Sequence, residues 1–140
     1  MNKENIKINM EKFSPKVLQI GLGLVMVWFG LQQITSPTSW IGYLPEFVNS
    51  LPISEITFVS FNGWFEVVFG ILLIAGFYTR IVTGLLSLHL LGITFTVGYN
   101  EIGVRDFGLS MALVSIFLQG PSTWSLDEYF KKRKLENKTI

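Results

Sequence analysis

Four apolar stretches follow one another along the chain, separated by short polar or breaker-rich segments. The first, 17–34, carries no charge; the second, 56–78, has Glu66 as its only charge; the third, 81–99, has His89 as its only basic side chain. The fourth, 107–119, is clearly shorter than the others. A helix crossing a hydrocarbon core roughly 30 Å thick needs about 20 mostly apolar residues, so three stretches qualify directly. The fourth qualifies if its helix starts near Glu101 or Ile102 and carries Arg105 and Asp106 into the membrane. Glu101 and Arg105 would then stand at i,i+4, in the order that pairs charges on a helix. The alternative is a short helix starting at an Asp106 N-cap; the longer helix is the expected one. Short connections between such helices predict an all-α integral membrane four-helix bundle, up-down-up-down. The expected organisation is a basic tail over 1–16, a membrane domain over 17–129 with spans at 17–34, 56–78, 81–99 and 102–119, and a solvated basic tail over 130–140.

Charge supports this and adds an orientation. Charged residues make up 15% of the chain, against about 25% in an ordinary soluble domain, which leaves too few to cover a water-exposed surface. Lys and Arg crowd the two ends: Lys3, Lys7, Lys12 and Lys16 lie within 1–16, and Lys131, Lys132, Arg133, Lys134 and Lys138 within 131–140. Only Arg80 and Arg105 lie between them. Basic tails flanking apolar segments set membrane orientation, so nucleic acid is not an expected partner and membrane lipids are. Both termini and the Arg80 turn are expected in the cytoplasm, with the first and third connections outside. The first connection mixes breakers with Trp40 and Tyr43, which suits the membrane–water interface, as Trp124 and Tyr129 suit the opposite one. The first stretch is longer than the apolar core of a secretory signal and no Ala-x-Ala site follows it, so a retained anchor is expected.

The chain has no cysteine and one histidine. Disulfides, thiol catalysis, Cys-held iron–sulfur clusters and Cys-attached haem are excluded, and no metal site is expected. No nucleophile–base signature is present, so no catalytic residue is assigned. Gly21-Leu22-Gly23 opens like a nucleotide fingerprint, but Met26 stands in place of the third glycine and no strand–turn–helix surrounds it.

The ligand-binding or proton-handling candidates are Glu66, His89, Arg105 and Asp106. Glu66 stands at the middle of the second stretch, near mid-membrane, where an acidic group costs roughly 2.5–3.5 kcal/mol even on the lenient insertion scale. It is therefore expected to face other helices. Gly63 and Gly70, three before and four after it, share its face and permit close packing. Counted from the turn near Thr79, Glu66 lies only three positions deeper than His89, a height difference of about 4.5 Å that two side chains can bridge. Both a structural hydrogen bond between helices and a binding or proton-handling role remain open for the pair. Arg105, Gly108, Ala112, Ser115 and Gln119 recur at spacings of 3, 4, 3 and 4, a seam of small and polar groups expected to pack on a neighbouring helix. Arg105 and Asp106 are expected either to recognise a ligand or to neutralise each other.

Three segments together resemble the DoxX family of small four-helix membrane proteins, over 17–129. Gly21-Leu22-Gly23 through Phe29-Gly30-Leu31-Gln32 is similar to the family's first helix. Members often carry a basic residue shortly after that glycine, where this chain has Gln33-Ile34. The run from Gly63 through Glu66, Gly70, Leu73 and Gly76 to Arg80 resembles the pattern G-x-x-E-x-x-x-G-x-x-L-x-x-G closed by a basic residue. Gly120-Pro121-Ser122-Thr123-Trp124-Ser125-Leu126-Asp127 is similar to the closing G-x-x-x-x-S-L-D. Some relatives are subunits of a thiosulfate–quinone oxidoreductase and others are linked to redox or sulfur stress. The resemblance therefore implies an accessory membrane subunit of a redox, quinone-linked complex, with quinone as the non-covalent cofactor and a redox subunit as partner. At most it would be a non-self-sufficient part of an enzyme. The alternatives are a non-enzymatic lipid- or partner-binding membrane protein and a small proton-coupled transporter. A homo-oligomer is left open.

Overall fold

The computed structural model describes residues 3–137, with side chains from Phe13 onward. Lys138 and the side chains of Lys3, Lys7 and Lys12 lie outside the described residues. The described chain is all-helical, without strands: α1 Lys3–Thr35, α2 Glu55–Ala75, α3 Thr79–Val97, α4 Glu101–Gln119 and α5 Leu126–Glu136. Two 3-10 segments, Pro37–Tyr43 and Glu46–Ser50, fill the connection between α1 and α2.

Local chemistry sets these ends. Ser54 caps α2 through the Thr57 N–H, and Asn100 caps α4 through the N–H groups of Ile102 and Gly103. With Asn100 as cap, α4 starts at Glu101 and Asp106 lies inside it. Gly76 ends α2 in the left-handed conformation (φ +70°), where an added Cβ would also press on Ser125. That is why α2 stops at Ala75 and α3 starts at Thr79, although the apolar run itself continues to Tyr78.

Three helical segments are long and apolar enough to cross a membrane: Phe13–Thr35, Glu55–Ala75 and Thr79–Val97. α4 spans Glu101–Gln119, about 28 Å at a rise of about 1.5 Å per residue, but carries Glu101, Arg105 and Asp106 in its first two turns. The amino-terminal segment, expected as a tail, is helical from Lys3 and runs into the first span without a break. The carboxy-terminal tail is likewise helical up to Glu136. Ser125 accepts from the Glu128 N–H, acidic Asp127 and Glu128 fill the first turn of α5, and basic Arg133 and Lys134 its last, all of which favour a helix.

Consecutive long helices pack antiparallel. A Cβ at Gly30 would meet Gly63 and Val67, and one at Gly23 would meet Gly70 and Ile74, so α1 rises as α2 descends. Gly84 faces Phe117, and Gly103 approaches Gly98 and Thr94, which sets α3 against α4. α1 packs mainly on α2 and α3 mainly on α4; α2 meets α3, and α1 meets α4, over smaller contacts. Leu22, Met26, Leu73, Val82, Leu86, Leu90, Leu113 and Ile116 fill the centre.

The end bearing α5 is latched by polar groups. Asp127 accepts from the backbone N–H groups of Tyr78 and Thr79, both at 2.8 Å, and so caps the start of α3 from across the chain. Its own N–H donates to the Gly76 carbonyl at 3.1 Å. Buried Gln19 donates to the Leu73 carbonyl and accepts from the Ser122 hydroxyl, while Lys16 donates to the Ile74 carbonyl at 3.0 Å. Lys16 thereby satisfies a carbonyl that the end of α2 leaves open, while Gln19 adds a second donor to the Leu73 carbonyl already met by the Gly76 N–H. The S-L-D segment is thus a clasp on the α2–α3 turn.

Candidate functional site

The opposite end, beneath the two 3-10 segments, is hollow. A cavity of about 350 Å³ lies among α1, α2, α3, α4 and the α1–α2 connection. Its walls are chiefly apolar, with Met26, Phe29, Phe58, Val59 and Ile93 prominent, and its roof is the Trp40–Phe47 segment. Glu66, His89, Arg105 and Asp106, from three different helices, all line it.

Glu66 is the centre of the polar floor and is 2% exposed. The Gln33 amide donates to Oε2 at 2.9 Å, and the Asn62 amide donates to Oε1 at 3.2 Å. His89 Nε2 stands 3.2 Å from Oε1. Asn62 also donates to the Gln33 carbonyl oxygen at 2.7 Å. One carboxyl group thereby ties α1, α2 and α3 together, as a polar group inside a membrane must. The Phe65 ring lies 4.9 Å from the His89 ring and braces it. When Glu66 is ionised, His89 Nε2 carries the hydrogen, and Nδ1 has no hydrogen-bond partner among the described residues. That nitrogen then carries the ring's lone pair and is available to accept a hydrogen bond or a proton from a ligand.

Arg105 and Asp106 form a second polar group on the α4 wall. Arg105 Nε donates to Asp106 Oδ1 at 2.7 Å, and the guanidinium lies 4.3 Å from the centre of the Phe29 ring. The pairing is with Asp106 and not with Glu101, because the guanidinium turns inward onto Phe29. Nη1 and Nη2 have no hydrogen-bond partner among the described residues, so they can donate to an acceptor in the cavity.

The glycine expectations divide. Gly63 and Gly70 are buried against the α1 backbone, as close-packing residues. The expected α4 seam lies beside the true packing face, which is Gly103, Asp106, Ser110, Leu113 and Ile116. Gly108 is exposed, with nothing within 4 Å of an added Cβ. Ala112 is half-buried at the edge of the core, and Ser115 accepts a hydrogen bond from exposed Gln119. The correction has a simple cause: inward-pointing Asp106 sets the rotation of α4, and Arg105 follows one residue round from it.

Gln33 and Asn62 are the site residues that sequence reasoning did not single out. Asn62 sits one helical turn before Glu66, and an amide at i−4 from an intramembrane carboxyl is a readable signal. Gln33 supplies a neutral donor to the same carboxylate.

A family model described as DoxX matches residues 15–99, well over half of the chain. The chain belongs to the DoxX family. The matched region of this DoxX protein contains Gln33, Asn62, Glu66 and His89, the whole floor of the cavity. Arg105 and Asp106 lie beyond it, on α4. Neither the curated proteins nor the solved structures contain a match to the chain.

Proposed function

We propose that this DoxX membrane protein crosses the bilayer four times, up-down-up-down with both termini in the cytoplasm, and serves as an accessory subunit of a redox complex whose quinone ring enters the cavity. Three apolar helices and the antiparallel packing of α4 on α3 support the four crossings. The density of Lys and Arg at both ends supports the orientation. Reporter fusions after Tyr43 and Tyr99 are expected to read outside, and fusions after Thr79 and Lys134 inside. An outside signal at Lys134 would break the four-span arrangement.

The observation that carries the functional reading is an apolar cavity of about 350 Å³ with a carboxyl–imidazole pair in its floor. Small-molecule sites have this character and fall in the range of roughly 300–1,000 Å³. A quinone carbonyl can accept from the Arg105 guanidinium while its ring lies against Phe29 and Met26. Reduction to the quinol takes two electrons and two protons. The chain has no cysteine and a single histidine, so the electrons come from a partner redox subunit. In this reading His89, when protonated on both nitrogens, passes a proton from Nδ1 to a quinone oxygen, with Glu66 as its partner at Nε2. The test is to purify the protein in mild detergent, extract it with organic solvent and follow the quinone absorbance before and after borohydride. A stoichiometric quinone, or saturable binding of an added alkyl benzoquinone, is expected. The absence of both would sink the reading. One observation favours the non-enzymatic alternative: both oxygens of Glu66 are already engaged by the protein's own side chains, as suits a purely structural tie.

A further inference from the structure

The cavity has buried and exposed lining residues, and their distribution locates its mouth. Met26, Gln33, Val59, Glu66, Leu90 and Asp106 are buried. The exposed lining residues lie on two sides: Tyr43 and Phe47 in the roof, and Leu88, Gly92 and Thr96 on α3. Leu88, 68% exposed in the middle of a span, puts this edge of the lining on the lipid-facing surface. Gly92 is five residues inside the end of α3 at Val97, about 7.5 Å along the axis, and nothing lies within 4 Å of a Cβ added there. Beside the Glu66–His89 contact, then, the α3 edge of the lining reaches the outer surface within an apolar span. What surrounds the protein at that depth is hydrocarbon and not water.

The geometry points to a lateral mouth at Gly92 through which the cavity communicates with the bilayer, so that its ligand is a lipid-soluble amphiphile: a polar head on the Glu66–His89 floor and an apolar tail leaving over Gly92 into the lipid. This deepens the quinone reading and rests on it for the head group alone; the mouth stands independently. A glycine suits the sill because any larger side chain there would reach into open space that a tail would occupy. The arrangement also separates the two demands on such a ligand. The head finds hydrogen bonds that hydrocarbon lacks, and the tail never leaves hydrocarbon, so no tail desolvation cost arises on binding or release.

The absence of native cysteine makes access measurable on the full-length protein. Val59→Cys places one thiol on the buried lining. In membranes it is expected to react with an apolar maleimide dissolved in the lipid and to resist a charged, water-borne thiosulfonate. Adding Gly92→Phe or Gly92→Leu should slow the apolar reaction at least tenfold, while Phe95→Leu, on an exposed neighbour outside the lining, should leave it unchanged. Unaltered thermal unfolding of each variant checks the fold. Labelling indifferent to Gly92, labelling by the charged reagent at an undiminished rate, or no labelling by either reagent overturns the lateral mouth. A benzoquinone with a ten-carbon tail should protect the thiol better than the same ring without a tail. If the Gly92 variants behave as expected and neither quinone protects, the mouth stands and the quinone reading fails.

Discussion

Gly63→Ala is expected to lower stability by about 2–3 kcal/mol, within the range for overpacking a close contact. A Cβ at Gly63 would stand 2.7 Å from the Gly30 carbonyl oxygen and 2.9 Å from the Gln33 Cβ. The first of these is backbone, which cannot rotate away, so α1 and α2 must separate. Within a membrane, lipid tails are as apolar as the helix surface, and close packing is what holds two helices together. The same contact recurs two turns away, where a Cβ at Gly70 would stand 3.0 Å from the Gly23 carbonyl oxygen. Separation would also draw Gln33 away from Glu66, so the change should weaken ligand binding as well as stability. Gly108→Ala is the matched control, since it stands in open space. There alanine's higher helix propensity, up to about 1 kcal/mol, is the only effect expected. Unfolding in detergent, followed by the intensity of tryptophan fluorescence, measures both. Equal stability of Gly63→Ala and Gly108→Ala would contradict the close contact of α1 with α2.

Replacement of Glu66 should separate its structural part from its functional part. Glu66→Leu leaves the amides of Gln33 and Asn62 and the ring nitrogen of His89 without their acceptor. An abandoned buried donor costs about 1–3 kcal/mol. The Asn62–Gln33 bond survives and the cavity can admit water, so a loss of about 2–4 kcal/mol is expected on that scale. Glu66→Gln keeps the shape and one acceptor oxygen, and the Gln33 amide can turn over to pair with the new NH₂; a loss of about 1 kcal/mol is expected. If Glu66 handles protons, both variants insert and fold but lose quinone binding or the activity of the assembled complex. Wild-type binding and activity in Glu66→Gln, with only Glu66→Leu perturbed, would assign the residue to packing alone.

The depth match between Glu66 and His89 was legible from residue counting, because helix rise is nearly constant and the intervening turn is short. That they face each other was not a matter of depth. It depends on the rotation of α2 and α3, which the Gly76 cap and the Asp127 clasp set from the far end. The α4 seam illustrates the limit. Small and polar residues at helical spacing mark a face that can pack, yet Gly108 and Ser115 lie off the face that does. Periodicity is a property of one helix, and the choice between adjacent faces is made by its neighbours. Gln33 escaped notice for a related reason: its partner lies 33 positions away on another helix, so nothing local betrays whom it meets, whereas Asn62 stands one turn from Glu66 and was readable.

By itself, then, the sequence determined that three stretches are long and apolar enough to span a membrane and that one carboxyl and one imidazole sit deep within them. Those properties follow from transfer free energies and helix geometry, which act locally. Only the tertiary structure decided that the carboxyl binds α1 through Gln33 as well as α3 through His89, that Arg105 turns inward onto Phe29, and that a cavity lies among the four helices with Gly92 in its lining. Each is a contact between segments far apart in the chain, and it exists because the glycine-lined approach of α1 to α2 and the packing of α3 on α4 leave a gap between the two pairs that no single segment encodes.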